Sequence, residues 1–500
     1  MEMKELNKFQ KIALMCLSAL ISLSFLYVYY HICHDSYDFT MVLRTLLTVA
    51  VSFGVYVFFT KCNGFLEKHY KKIVAVFLGA MLVLQVIFGY YLEITPQWDF
   101  ENIYKGAISW VETGTFPNPS DYFFYFPNNL GGMSLLAFFF KIASIFNIHN
   151  YSMVAMAANA LLNVVMMLLC FCICKRLVSI KTAVFVLFIF MISLPSYFGA
   201  AVFYTDVFTM VYPVLFYYLY LRLRDTADIK YKLLYFVLMG LTAWVGMTVK
   251  FTVVIIVIAI AIELILRLEW KRLVAGIVII SAVYMICNSC FYHMIYEDHL
   301  DQEMCETMKL PPIHWVMMGL QGDADYCAED IEFSNGFDSP EQRNPAILQE
   351  IKRRISDYGP AGLKKLLTRK AVKCFSDGTY ELSAFFYHGM VRETILNDYV
   401  TFDGEHYEQY QRFCSGIYLG FFLLMIFGGF YYLPKYKKGD FEFLPYITPL
   451  LSVFGLLLFL VMWEAHARYI TNYIPVIYIC AAVSMEYLSK IRIKLPHLGK

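Results

Sequence analysis

Apolar runs of about 18 to 22 residues recur along the whole sequence, each long enough to cross roughly 30 Å of hydrocarbon as a helix. Of the 500 residues 59% are hydrophobic and only 16% charged, too apolar a chain to divide into soluble domains. The expected fold class is an all-α polytopic membrane protein.

The net charge of +1 points to no nucleic-acid partner, and the 41 Lys and Arg matter by position. Thirteen cysteines are scattered, and no CxxC or Cys/His grouping reads as a zinc site. Lys4, Lys8 and Lys11 precede an apolar run without a convincing cleavage pattern, which reads as an uncleaved first span. About twelve spans are expected, at 11–30, 41–60, 73–92, 151–174, 182–200, 207–221, 233–249, 251–268, 273–296, 413–433, 444–462 and 470–488. The chain accordingly divides into an N-terminal hairpin (1–72), a transmembrane core (73–296) with an outer loop at 93–150, a mixed extracytoplasmic region (297–412) and C-terminal transmembrane helices (413–500).

One further apolar segment, 130–146, is decided by charge. With the N-terminal lysines inside, Lys61, Lys68, Lys71 and Lys72 also lie inside. If 130–146 crossed, the basic connectors at 175–181 and 222–232 would both fall outside. If it remains outside as a re-entrant or interfacial helix, they fall inside with Arg267, Lys271, Arg272, Lys435, Lys437, Lys438 and the 490–500 tail. The outer face then carries 93–150, the turn at Tyr204-Thr205-Asp206 and 297–412. Cys305 and Cys327 of that last region are candidates for a disulfide in an oxidising exterior.

Few charges remain on the outer face. Asp99 and Glu101, directly after a span, have the chemistry to take a proton from a hydroxyl or to hold a divalent cation, although a solvated loop with ordinary acids also accounts for them. The run from Asp121 to Gly132 holds Tyr125, Asn128 and Asn129 and then Gly131-Gly132. Its aromatics suit an interfacial belt, whereas paired amides and glycines are a poor entry to a lipid-spanning helix. Asp206 sits between two spans at or below the surface, where ionisable groups are costly. Lys250 closes a hairpin near the same face, where snorkelling explains it equally. The tight turn 463–469 crowds Glu464, His466 and Arg468 together; Lys250 and Arg468 suit a lipid phosphate, while a Glu464/Arg468 helical pair at i, i+4 is the plain alternative.

This constellation resembles the GT-C superfamily of polyprenyl-phosphate-sugar-dependent glycosyltransferases, in particular the branch related to protein mannosyltransferases and the lipid A aminoarabinose transferase. The likeness rests on Trp98-Asp-Phe-Glu101, on Tyr125-Phe-Pro-Asn-Asn-Leu-Gly-Gly132 leading into a juxtamembrane helix, on Asp206, and on Arg468-Tyr469 before a late span. It implies a multi-pass cell-membrane enzyme with an extracytoplasmic active site. Asp99, Asp206 and Glu101 would be catalytic, Lys250 and Arg468 would bind the donor phosphate, and Tyr125, Asn128, Asn129, Glu464 and His466 would meet acceptor or sugar. The implied partners are a polyprenyl-phosphate-linked sugar donor, a glycan or glycolipid acceptor and membrane lipids, with a divalent cation as a candidate cofactor. A transporter or flippase of a lipid-linked glycan is the alternative, and would spread such charges across membrane depth.

The charge-based topology has a direct check. A tag inserted near Ile148 is expected to be accessible from outside the cell, and labelling from the cytoplasmic side only would overturn the assignment.

Overall fold

The computed structural model describes residues 6–116, 122–297, 299–439 and 445–491. Asp121, at the head of the aromatic run, and most of the basic tail (492–500) lie outside the described residues.

The protein is an all-helical integral membrane protein. Its principal helices are α1 (Lys8–His31), α2 (Phe39–Lys61), α3 (Asn63–Tyr91), α4 (Trp98–Thr113), α5 (Leu130–Ile145), α6 (Tyr151–Leu177), α7 (Ile180–Ile192), α8 (Val211–Asp225), α9 (Ile229–Val249), α10 (Val254–Leu266), α11 (Trp270–Tyr292), α12 (Pro340–Ser376), α13 (Tyr407–Lys438), α14 (Ile447–Met462) and α15 (Ile474–Ser489). Seven helical segments among the described residues are long and apolar enough to cross a membrane, or eight if α7 and the short helix after it form one bent span. The expected twelve included α8, α10, α14 and α15, whose 13 to 16 residues fall short of the ~20 that a straight crossing needs. All four border the breaks that carry the charged residues singled out above, or pack beside them.

The bundle closes by bringing the chain ends together: α1 and α2 pack on α13, which packs on α15. The most apolar windows of α6 and α13 are 67% and 72% buried, so these helices are central. The corresponding window of the segment containing α11 is only 11% buried, leaving a broad apolar face for lipid. Helix α1 starts at a capping box, with Asn7 Oδ1 accepting from the Gln10 N–H at 2.9 Å and Gln10 Oε1 accepting from the Asn7 N–H at 2.8 Å.

After α7 the chain bends by 79° into Pro195–Phe198 and then a 3₁₀ turn. Irregular backbone at membrane depth must be covered by protein and have its polar groups satisfied. Here Asn159 of α6, fully buried, donates to the carbonyls of Gly199 at 3.0 Å and Val202 at 3.2 Å, while Phe198, Ala200, Ala201 and Phe203 are buried. This bend delivers Asp206 to the site end of the bundle.

The 297–412 region, expected to be mixed, is helical in its described residues; the isolated pairing of Ile94 with Met390 is a single bridge that pins it to the segment ahead of α4. Helix α12 is broken at Gly359, whose φ of +57° lies in the left-handed region that favours glycine. The proposed Cys305–Cys327 bridge is absent: both thiols are free, and Cys327 Sγ contacts Glu329 Oε2 at 3.1 Å.

Helix α5 packs between α4, α6 and α9. Its 16 residues span about 24 Å at 1.5 Å per residue. Its outer side shows Phe138, Ile142 and Ile145. A methyl group on Gly131 would lie 1.9 Å from the Thr248 carbonyl oxygen, and one on Gly132 would lie 3.0 Å from Thr205. Gly131 therefore lets α5 pass against the backbone beside Lys250, and Gly132 lets it approach the Thr205 side chain beside Asp206. Gly131→Ala is expected to cost about 1–3 kcal/mol through overpacking and to lower the unfolding temperature in detergent. Gly64→Ala, where a methyl group meets open space, is the near-neutral control.

Candidate active site

Five chain segments meet at one end of the bundle: the first turn of α4, the 3₁₀ turn Pro127–Asn129, the turn Thr205–Phe208, the break between α9 and α10, and the link between α14 and α15. They surround a cavity of about 660 Å³ whose lining includes Asp99, Asn128, Asn129, Lys250 and Glu464.

Asp99 sits in the first turn of α4, where the helix dipole favours an anion. The residue before it, Trp98, has a φ of +56°, a strained position for a non-glycine residue. The helix start is held from outside: the Thr95 N–H donates to the Gly389 carbonyl at 2.7 Å, the Val391 N–H to the Glu93 carbonyl at 2.9 Å, and Arg392 pairs with Glu93. Asp99 is open to the cavity yet crowded by protein on its other sides. That burial pushes its carboxyl up, against the Tyr122 hydroxyl, the Arg468 charge and the Tyr204 hydroxyl, which favour the ionised form. Tyr122 is held by Asn129, whose amide donates to its hydroxyl.

Behind this wall Asp206 is only 3% exposed. Lys250 pairs with its Oδ1, and Arg468 Nε lies 3.9 Å from its Oδ2. An isolated buried carboxylate costs several kcal/mol, so the two cations are what make Asp206 tolerable there. Lys250 occupies the extended residue between α9 and a 3₁₀ turn, which frees its side chain from both helices. Its ammonium lies 4.9 Å from the Tyr469 ring centroid, and the Arg468 guanidinium lies 5.3 Å from the same ring. Asp206 Oδ2 and Arg468 Nε are both buried without a hydrogen-bond partner.

The other sequence-derived candidates separate. Glu101 faces away and pairs with Lys105 at 2.5 Å on the exposed side of α4. Tyr125 does not line the cavity; its carbonyl accepts from the Leu310 N–H at 3.3 Å, tying the site to the 297–412 region. The i, i+4 pair between Glu464 and Arg468 does not form, because 463–466 is not helical; Glu464 accepts from the Tyr469 hydroxyl instead. His466 lies behind the cavity wall. Sequence reasoning missed Tyr122, Tyr204, Asp325 and Glu381. No local pattern separates the last two from the other acids of 297–412, and only tertiary contact brings them to the site.

No group of three or more His, Cys, Asp or Glu among the described residues is arranged to hold a metal ion. A divalent cation at Asp206 would face Lys250 and Arg468 directly, so this donor set does not suit one.

The chain belongs to the family of conserved hypothetical integral membrane proteins, whose family model matches residues 9–489. No curated protein matches it. Among solved structures it is similar to the archaeal oligosaccharyltransferase AglB from Archaeoglobus fulgidus in complex with an inhibitory peptide and a dolichol-phosphate. That match has 12% identity and a TM-score of 0.43, and covers 82% of this chain and 50% of that one. The chain thus spans half the length of that protein. It is also similar to ArnT from Cupriavidus metallidurans bound to undecaprenyl phosphate, at 12% identity and a TM-score of 0.37, over 82% of this chain and 77% of that one.

The charge triad predicts an asymmetric response to substitution. Asp206→Ala strands Lys250 and Arg468 beside each other and is expected to destabilise the protein by about 3–5 kcal/mol, read as a lowered unfolding temperature in detergent. An unchanged temperature would mean that water already screens the two cations.

Proposed function

We propose that this member of the integral membrane family is a glycosyltransferase of the GT-C type. It moves a hexose from a polyprenyl monophosphate to an acceptor hydroxyl on the extracytoplasmic side, and the acceptor is a cell-envelope polysaccharide, teichoic acid or glycolipid. The observation that carries this reading is the sharing of one cavity by a base and a phosphate-binding cation: Asp99 on one wall and Lys250, with Arg468 behind it, on another.

In the proposed reaction the acceptor oxygen attacks the anomeric carbon as the bond to the phosphate oxygen breaks, with inversion. Asp99 takes the acceptor proton and must be ionised to do so. The electron pair of the broken bond stays on the phosphate, where Lys250 supplies a point charge and Arg468 a planar donor. Such preorganised charge is typically worth a few kcal/mol per donor. Asn128 and Asn129 supply amides for sugar hydroxyls. Asp206 acts by holding the two cations in place. Glu101, by its position, takes no part in this scheme.

The lipid-linked nature of the donor is supported by the cavity's other side. Tyr284 and Phe291 of α11 line it; that helix packs on α9 along one side while most of its apolar surface faces lipid, so an isoprenoid tail has a short way from hydrocarbon to the charged residues. A transporter needs charge spaced across the bundle. The buried acids at the far ends of α10 and α15, Glu263 and Glu486, are already committed: Glu263 to Arg267 at 2.6 Å, and Glu486 to Lys181 at 3.0 Å and Lys490 at 2.9 Å. That arrangement favours the enzyme.

Asp99→Asn keeps the shape and removes the base. Its transfer activity in membranes is expected to fall by about 10²- to 10⁴-fold. Because burial raises the Asp99 carboxyl, the parent's activity should be lost on acidification above the pH usual for an aspartate. Full transfer by the Asn variant would remove Asp99 from the mechanism.

A further inference from the structure

His466 belongs to neither the cavity lining nor the lipid-facing surface. Its two ring nitrogens each meet a carboxylate: Nε2 lies 2.7 Å from Asp325 Oδ1, and Nδ1 lies 3.0 Å from Glu381 Oε1. A neutral imidazole has one donor, so two carboxylate partners require both nitrogens to carry protons. The histidine itself is 9% exposed, whereas the Asp325 side chain that it meets is 41% exposed.

Both acids come from the 297–412 region, and both are delivered by strained backbone. Ala324, ahead of Asp325, has a φ of +55°, and the consecutive residues Tyr380 and Glu381 have φ of +57° and +56°. Left-handed non-glycine residues are strained and persist only where the surroundings enforce them. The enforcing contacts are visible: Asp377 accepts from the Glu381 N–H at 3.0 Å, and the Ala324 carbonyl accepts from the Ala465 N–H at 2.7 Å.

Glu381 also reaches the cation of the candidate site. Its Oε2 accepts from the Arg468 backbone N–H at 3.2 Å, and its Oε1 lies 3.7 Å from Arg468 Nη1. An unbroken line of contacts therefore runs from Lys373 through Asp325, His466 and Glu381 to Arg468 and then Asp206.

We infer that His466, as an imidazolium, is a positioning residue through which the 297–412 region holds Arg468 in register with Asp206 and the donor phosphate. This rests on the donor-binding role proposed for Arg468. It makes the 297–412 region a working part of the reaction centre, and it gives His466 a role other than touching sugar. The titratable groups facing the imidazole are Asp325, Glu381, Arg468, the Tyr469 ring at 5.2 Å, and Cys374, which accepts from the His466 backbone; Lys373 stands behind Asp325. Burial alone would lower the His466 pKa, but the Asp325 and Glu381 hydrogen bonds outweigh it and raise it; burial would likewise raise Glu381, and His466 and Arg468 hold it down. Since the imidazole is the group whose pKa is raised, its positioning effect is present at low pH and lost as pH rises through that raised value.

The test is a double-mutant cycle on the full-length protein, measuring binding of undecaprenyl phosphate in detergent micelles at pH 6 and pH 9. His466→Gln is expected to weaken binding by about tenfold at pH 6, but by no more than about twofold in the Arg468→Ala background. His466→Gln keeps only the pH response of the phosphate's own ionisation, and relative to that variant the parent should bind less favourably at pH 9 than at pH 6. A full cost of His466→Gln in the Arg468→Ala background would mean a purely structural histidine and would overturn the inference, as would parent-like binding by His466→Gln. If parent and Arg468→Ala bind alike, the donor-phosphate role of Arg468 itself fails, and the inference with it. Should His466→Gln not fold, Glu381→Gln carries the same cycle with the same expected pattern.

Discussion

The buried carboxylate of Asp206 is the constraint around which the site end of this bundle is arranged. At 3% exposure it needs compensating charge, and the compensation comes from Lys250 and Arg468, far away in sequence. Each of the three residues lies at an interruption between helices, where a side chain can turn inward without clashing with a regular helical surface. The bend after α7, the break between α9 and α10, and the irregular link before α15 therefore have to converge on one point. The short lengths of α8, α10, α14 and α15 follow from those interruptions, and Gly131 and Gly132 let α5 come close enough to close the remaining side.

Around that triad the protein holds both strained backbone and unpaired polar atoms. Trp98, Ala324, Tyr380 and Glu381 hold left-handed backbone within or just behind the cavity wall. Asp206 Oδ2 and Arg468 Nε remain without hydrogen-bond partners. The same neighbourhood joins an apolar lipid-facing helix to a charged pocket, the combination that a donor with an isoprenoid tail and a phosphate head requires. These features together make the glycosyltransferase reading physically coherent.

Much of this was legible in the sequence wherever the signal was local. Long apolar runs mark the helices, and the scarcity of charge made Asp99, Asp206, Lys250 and Arg468 conspicuous. Pro127 and the glycine pair marked an unusual helix entry, and the structure gives the reason in the Thr248 carbonyl that leaves no room for a side chain. Where the answer depended on tertiary contact, the sequence was silent. Glu101 is two residues from Asp99, and the helical rotation over that interval turns it to the opposite side, onto Lys105. His466 has the chemistry of a sugar contact, but its direction is set by two acids located 141 and 85 residues away in the chain, if positions 325 and 381 are subtracted from 466. Hydropathy likewise counts apolar residues without seeing where a helix breaks, which is why twelve runs exceed the seven or eight segments long enough to cross among the described residues.

In the proposed reaction this protein adds a sugar to an envelope glycan from a lipid-linked donor. Mass spectrometry of envelope glycans from cells with and without the protein tests it most directly. One hexose-sized substituent should disappear from a single glycan class when the protein is absent and return when it is restored. Identical glycan profiles, in cells where the protein is otherwise made, would contradict it.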